Sequence, residues 1–367
     1  MDRIRTGVIG AGAISGIYLT NLISTFDCFD VAGVAAGHIE NARRKAEEFH
    51  IRAYTADEML ADPSIELIII LTPVASHYDL IRKALEAGKH VYTEKTMTET
   101  SRQAAELISL ADAKHLYLGS APDTFLGTAF QTARKAIDEG KPGRIHSFSA
   151  AVTRNNDVLT AYFPFLRQQG AGALRDYLVY YLTVLVSLLG PVESVSAAIR
   201  APYRKRMNNV PGTAGYGEEI ETPNESIIAA VLQMKNGIIG TVTENNETIG
   251  ADIAAFSLYG TKGVLQLGNP NLFGQLPKLL APKSWHMEEA QELEAAGFYS
   301  GNARGLGPAE MVHAIYEGRR HRANEKLAFH VLEVIEAMET SQKEGRMVKV
   351  ESDFDIPAFF DENYNRK

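Results

Sequence analysis

From Ile4 to Gly119 short apolar runs alternate with longer amphipathic stretches, the pattern of strand and helix in succession and hence of a parallel sheet. Residues 4–9, 31–36, 67–71, 90–92 and 116–119 read as strands, and 13–25, 39–49, 77–87 and 100–113 as helices. Gly88 falls where a helix C-terminus wants a glycine. A further helix over 125–139 stops at Gly140 and Pro142. After Gly143 the grammar changes. Residues 145–153, 192–199, 226–234, 238–243, 254–258 and 263–267 read as strands without intervening helices, which predicts a large, mostly antiparallel open sheet. One long helix over 172–189, closed by Gly190 and Pro191, interrupts it, and helices over 308–317 and 325–343 flank the basic turn Arg319 to Arg322. The pattern predicts an α/β domain with a doubly wound parallel sheet over residues 1–121 and an α+β domain over 122–367, two cores suiting a chain of 367 residues.

Composition narrows the partners. A formal charge of −8 opposes a nucleic-acid ligand, since affinity for phosphate backbones rests on an excess of Lys and Arg. The local basic cluster Arg200 to Arg206 reads as a solvated loop between strands. Cys28 is the sole cysteine, so no intrachain disulfide or thiolate zinc cluster can form. The first residues enter a strand directly and carry no secretory pattern, and no apolar run approaches the ~20 residues of a membrane span, so a cytoplasmic protein without membrane attachment is expected.

Gly10 and Gly12, with Ala13, Ile14 and then Ser15, form a G-x-G-x-x-S turn directly after the first strand and at the start of a helix. In that context the pair lets the backbone approach a pyrophosphate while the helix N-terminus supplies positive partial charge, the signature of a dinucleotide-binding Rossmann domain. The place at the end of the second strand where an NAD-binding domain usually holds a carboxylate is occupied by Ala36, followed by Gly37 and His38. Neither a carboxylate nor an Arg stands there, so these residues leave the choice between the two cofactors open; the expected cofactor is NAD, with NADP not excluded.

The loop Leu71-Thr72-Pro73-Val74-Ala75-Ser76-His77 and the loop Glu94-Lys95-Thr96-Met97 each follow a strand, at the carboxyl edge where open sheets bind ligands. With these loops, the glycine turn and the second-domain motif Gly170-Ala171-Gly172-Ala173-Leu174-Arg175-Asp176 followed by Tyr180, the chain resembles the glucose–fructose oxidoreductase and inositol dehydrogenase family, Gfo/Idh/MocA, over nearly its full length. The resemblance implies a nicotinamide-dependent oxidoreductase in which Lys95 stands beside the nicotinamide ribose and the substrate hydroxyl, and Thr72, Pro73, His77 and Glu94 line the cofactor. Thr96 replaces the family's proline. Tyr180 stands where many members carry a histidine acid/base, and Leu178 where a glycine is usual.

Chemistry supports the carry-over. Asp176 and Tyr180 are four residues apart and share a face of the expected helix, while Tyr177 and Tyr181 are expected to point elsewhere. Oxidising a secondary alcohol requires a base to accept the hydroxyl proton as hydride leaves carbon. A free phenol, with a pKa of about 10, is a poor base at neutral pH, and a neighbouring lysine would favour phenolate. Lys95 and Tyr180 are the expected pair, with Asp176 orienting a substrate hydroxyl or the lysine; which of the two takes the proton is left open. No histidine or carboxylate pair stands at a metal spacing, so no metal is expected. Asp123, Arg154 and Asn155 border the expected cleft and suit a polyol.

The finer resemblance is to bacterial enzymes that oxidise glycosides at the sugar 3-hydroxyl, some of which retain their cofactor. The expected substrate is therefore a sugar, a glycoside or a cyclic polyol. The rivals are a dihydrodiol or other alcohol, and a catalytically silent cofactor-binding sensor. One face of the second-domain sheet has no obvious cover, which predicts a homo-oligomer.

Overall fold

The apolar runs of the first third become the strands of one parallel sheet. The computed structural model describes residues 3–250 and 253–360 and divides into two compact units, Met1–Leu126 with Asn302–Leu332, and Gly127–Gly301 with Glu333–Lys367. In the first unit, β1 (Ile4–Ile9), β2 (Phe29–Ala35), β3 (Arg52–Tyr54), β4 (Leu67–Ile70), β5 (His90–Thr93) and β6 (Leu118–Ser120) pair in the order β3-β2-β1-β4-β5-β6, all parallel. Helices α1 (Ser15–Ser24), α2 (Ile39–Phe49), α3 (Ala56–Ala61), α4 (His77–Glu86) and α5 (Ser101–Ala113) connect them.

All four residues of β4, Leu-Ile-Ile-Ile, are buried, as a central strand covered on both faces requires. Its Ile68 and Ile70 share a core with Ile81 and Leu85 of α4, Val91 of β5 and Leu107 of α5. Reciprocal capping boxes, Thr55 with Glu58 and Thr100 with Gln103, start α3 and α5. The chain order reverses between β1 and β4, so the loops after these strands meet at the switch point where doubly wound sheets hold ligands. The short pair β3 and α3 departs from the sequence expectation, which placed neither.

In the second unit, α6 (Thr128–Asp138) precedes β7 (Ile145–Thr153), α7 (Asn156–Tyr162), a π-helical turn Leu174–Leu178 and α8 (Val179–Leu189). Then come β8 (Val192–Arg200), β9 (Lys205–Met207), β10 (Glu219–Glu221), β11 (Ile227–Met234), β12 (Ile239–Asn245), β13 (Ile253–Gly260), β14 (Val264–Gln266), β15 (Lys278–Leu280) and β16 (Gln291–Glu292). Helix α9 (Leu306–Glu317) belongs to the first unit, α10 (Glu325–Glu344) begins in the first unit and ends in the second, and strand β17 (Val348–Lys349) belongs to the second. The main sheet runs β16-β15-β14-β13-β7-β12-β11-β8-β17, antiparallel except where β7 lies parallel to β12.

Every residue of α8 is buried, which explains why its sequence is apolar on all sides. Along the strands the inner face carries Ala150, Val152, Ala230, Leu232, Val242 and Phe256, and Tyr181 stacks on Phe256 with ring centroids 5.4 Å apart. The outer face exposes Ala151, Ala229, Val231, Ile239, Thr241 and Ala255.

Three expectations change here. The helix expected over 172–189 is a π-helical turn followed by an α-helix, and α7 intervenes after β7 where no helix was expected. The basic cluster is not one solvated loop: β9 and β10 form a two-stranded hairpin, and Arg206 is buried in it, paired to Asp157 at 2.7 Å and to Glu247. A desolvated guanidinium is held by two carboxylates there, which alternating charge in the sequence does not reveal.

Candidate active site

The first unit builds its ligand edge from the glycine turn. Gly10 has φ +128°, and a Cβ on it would lie 2.7 Å from the Leu71 carbonyl carbon, so both conformation and space demand glycine. Gly12 is different: nothing of the protein lies within 4 Å of where its Cβ would be. The fold does not require that glycine, and the open space suits a ligand approaching the backbone. Helix α1 begins beside it with no side-chain cap at Ile14 and no acidic residue in its first turn, while Ser15 donates its hydroxyl to the Gly12 carbonyl at 2.7 Å. An uncapped helix start next to an open glycine fits a diphosphate. Ala36 is half-buried, and Gly37 and His38 beyond it are exposed. Gly10→Ala is expected to weaken NADH binding about tenfold or more, read from titration of the reduced nicotinamide fluorescence, because the strained turn costs about 1–3 kcal/mol.

The two loops expected to flank the cofactor are tied together by His77. It is fully buried, with Nδ1 2.9 Å from the Thr96 carbonyl oxygen and Nε2 2.8 Å from the Thr72 carbonyl oxygen. Burial lowers its pKa, against the opposing pull of those carbonyls. Both ring nitrogens thus face main chain, and the residue fixes the Thr72-Pro73 turn against the Lys95 loop. Glu94 performs the matching task from β5: its carboxylate accepts from the buried Tyr18 hydroxyl at 2.7 Å and from the Lys95 backbone N–H at 3.2 Å. The Lys95–Thr96 peptide is cis. Lys95, partly exposed, therefore rises from a loop anchored on both sides.

Asp123 is almost wholly buried, and its Oδ2 accepts from the Gly305 and Gly307 N–H groups at 3.2 and 2.9 Å. Burial pushes its carboxyl up to about 6, against the pull of those two donors. A Cβ on Gly307 would sit 2.1 Å from the Tyr92 hydroxyl oxygen. The Oδ2 of this carboxylate thus holds the start of α9.

In the second unit, strand alternation carries Arg154 onto the inner face after Ala150 and Val152. Its Nη1 donates to Asp176 Oδ2 at 3.2 Å, and its guanidinium lies 4.0 Å over the Tyr177 ring. The Tyr177 hydroxyl bonds the Asn269 amide. Tyr177 therefore does not point elsewhere; the wider π turn brings it to the same guanidinium as Asp176. Tyr180 is buried, its ring 6.0 Å from that of Tyr177. Asn155 caps α7, accepting from the Asp157 and Val158 N–H groups at 3.1 and 3.2 Å. The glycine-rich lead-in has a concrete cause: a Cβ on Gly172 would fall 2.1 Å from Glu225 Oε1, which accepts the Leu174 N–H at 3.1 Å.

Sequence reasoning passed over Tyr18, Glu225, Glu244 and Asn246. The available signal was alternation: Val242, Glu244 and Asn246 occupy successive inward positions of β12 and its continuation, where a carboxyl is out of place. Among the described residues no group of three or more His, Cys, Asp or Glu is arranged to hold a metal, and no helix is long and apolar enough to cross a membrane.

Residues 4–121 match the model of the oxidoreductase family with an NAD-binding Rossmann fold, and residues 130–266 match the GFO/IDH/MocA C-terminal domain. The chain belongs to the GFO/IDH/MocA oxidoreductase family. Its first domain is an NAD-binding Rossmann domain. Among relatives, it is 26% identical over 201 residues to scyllo-inositol 2-dehydrogenase (NADP(+)) of Bacillus subtilis, a match covering 55% of this chain and 56% of that protein. It is 26% identical over 245 residues to levoglucosan dehydrogenase of Pseudarthrobacter phenanthrenivorans, covering 63% of each. The chain thus spans little more than half the length of the first of these relatives. The fold is that of the levoglucosan dehydrogenase complex with NADH and levoglucosan, at TM-score 0.79 and 18% identity over 96% of this chain and 100% of that one. An NAD-binding oxidoreductase from Klebsiella pneumoniae aligns at TM-score 0.80 and 20% identity, over 96% and 100% of the two chains.

Proposed function

We propose that this GFO/IDH/MocA protein is a nicotinamide-dependent dehydrogenase or reductase acting on a secondary hydroxyl of a sugar, a glycoside, with the 3-hydroxyl as the favoured position, or a cyclic polyol. The observation that carries the reading is the anchored Lys95: Glu94 and His77 both serve to hold its loop, in a family whose named relatives act on sugars and polyols. When bound, the nicotinamide accepts or supplies the hydride. The backbone of Gly10, Gly12, Ala13 and Ile14 receives the diphosphate, and Ala36, Thr72, Pro73 and Glu94 bound the rest of that site. NAD is the proposed form. NADP stays admissible, because no carboxylate stands at Ala36.

Lys95 and Tyr180 supply the acid/base pair, and Asp176, held by Arg154, orients a substrate hydroxyl. Asp123 and Asn155 enter as supports of α9 and α7. Self-association through the exposed outer face of the nine-stranded sheet belongs to the same proposal. The test is a panel of sugars, glycosides and inositols with NAD and NADP, followed at the reduced-nicotinamide absorbance band. Turnover is expected with at least one member. Tyr180→Phe is expected to cut it by about 10²–10⁴, the worth of a positioned proton-transfer group, with the loss sharpest on the basic or acidic limb of the pH–rate profile that Tyr180 governs. Undiminished turnover would remove Tyr180 from the chemistry, and no turnover on the whole panel would leave a binding protein.

A further inference from the structure

The inner face of the second unit's sheet turns polar at one end. On β7 the apolar row Ala150, Val152 continues to Arg154; on β12 the row Val242 continues to Glu244 and Asn246; beside them Ser226 precedes β11. Backbone bonds set these neighbours in register, Arg154 N–H to Asn245 O at 2.9 Å and Asn246 N–H to Ser226 O at 2.8 Å. All four side chains are at least nine-tenths buried. Arg154 Nε, Asn246 Oδ1, Ser226 Oγ and both Glu244 oxygens lack a hydrogen bond of ordinary geometry within the protein. Unpaired buried polar atoms on three adjacent strands cost free energy unless a ligand or solvent meets them.

At Arg154 and Asn246 of this row lies a cavity of about 330 Å³, counting the solvent at its mouth, with room inside for a small polar group. Arg154, Asp176, Asn224, Glu225 and Asn246 line it, with Leu159 and Leu166 on the apolar side. Charge decides what fits. Among the lining residues the single guanidinium, that of Arg154, is already matched by Asp176, which leaves the Glu225 carboxyl in excess. Arg175 and Glu339 behind Glu225 pair with each other and cancel.

We propose that this cavity is a charge filter on the substrate: it receives one O–H or N–H donating group of a neutral or amino-substituted sugar and rejects carboxylate and phosphate substituents. The inference rests on the sugar-dehydrogenase reading for its ligand class. A hydroxyl or an ammonium satisfies Asn246 Oδ1 and tolerates Glu225, whereas an anion meets its carboxylate as a like charge.

The test uses three sugars that differ only at carbon 6: 6-amino-6-deoxyglucose, glucose and glucuronate. Binding to the purified protein with NADH is measured by calorimetric titration at pH 8, and oxidation is read in parallel with NAD. The amino and neutral sugars are expected to bind about tenfold tighter than glucuronate, as for one uncompensated charge at close range. Glu225→Gln, which keeps the acceptor for Leu174 N–H, is expected to narrow that spread several-fold; Asn246→Leu is expected to weaken all three alike. The wild-type spread should also shrink as pH is lowered from 8, because burial raises the Glu225 carboxyl and protonation removes its charge. Glucuronate binding as tightly as glucose, a spread unchanged in Glu225→Gln, or no binding by any of the three overturns the proposal. The predicted order of binding without oxidation would keep the filter and discard the dehydrogenase reading; equal binding with oxidation would do the reverse.

Discussion

Replacing Lys95 by Met is expected to lower turnover by about 10²–10⁴ while leaving NADH affinity within a few-fold of wild type. The magnitude follows from what a positioned proton-transfer or charge-stabilising group contributes. The separation of effects follows from geometry. Glu94 anchors the Lys95 segment through the backbone N–H, and His77 reaches the Thr96 carbonyl, so neither contact needs the ammonium. Met keeps the length and apolar stem of lysine and removes only the charge and donors. Stopped-flow reduction of NAD with the best substrate of the panel reads the step, and fluorescence titration reads the cofactor. Full activity in Lys95→Met would displace the lysine from the chemistry; a parallel collapse of NADH affinity would show that it serves binding.

The contrast between Lys95 and its neighbours shows what a single sequence can and cannot display. The alternation of strand and helix in the first third, the glycine turn and the antiparallel run after Gly143 depend on period and spacing, and these survive without tertiary context. Residues 52–54 and 56–61 did not stand out because three and six residues are too few to express a period. The π turn at Leu174–Leu178 was hidden for a different reason: its partner lies far along the chain, in the loop before β11, where the Glu225 carboxylate takes the place of a Gly172 Cβ and bonds the Leu174 N–H.

Side-chain partners were the least legible feature. His77, Asp123 and Asn155 are polar loop residues of the kind that bind ligands, yet their polar atoms hold backbone: the Thr72 and Thr96 carbonyls, the Gly305 and Gly307 amides, and the first turn of α7. Residue type announced a hydrogen-bonding task without saying for whom. Arg154 and Asp176 were named separately; only the fold reveals that one neutralises the other over the Tyr177 ring.

The same polar row makes a stability prediction of comparable size. Glu244 is fully buried, and burial pushes its carboxyl from 4.5 up to about 8; Asp176 and Glu225 push the same way, while the Arg154 guanidinium and the Asn246 amide offset only part. The folded state therefore holds the Glu244 proton more tightly than the unfolded chain does. Below pH 4.5 both states are protonated and the group is neutral to stability. Between 4.5 and 8 the unfolded chain releases the proton and the folded one keeps it, so stability falls as pH rises, and above 8 the full cost of a buried carboxylate is present. At about 1.4 kcal/mol per unit, the span amounts to about 4–5 kcal/mol.

Gln has the same shape and cannot ionise. Glu244→Gln is thus expected to match wild type within about 1 kcal/mol at pH 5 and to exceed it by several kcal/mol at pH 9, with each kcal/mol worth about 2–4 °C in the unfolding midpoint of a unit this size. Differential scanning calorimetry at the two pH values decides the matter. Parallel pH dependences in the two proteins would mean that Glu244 finds in the folded state a partner as good as water.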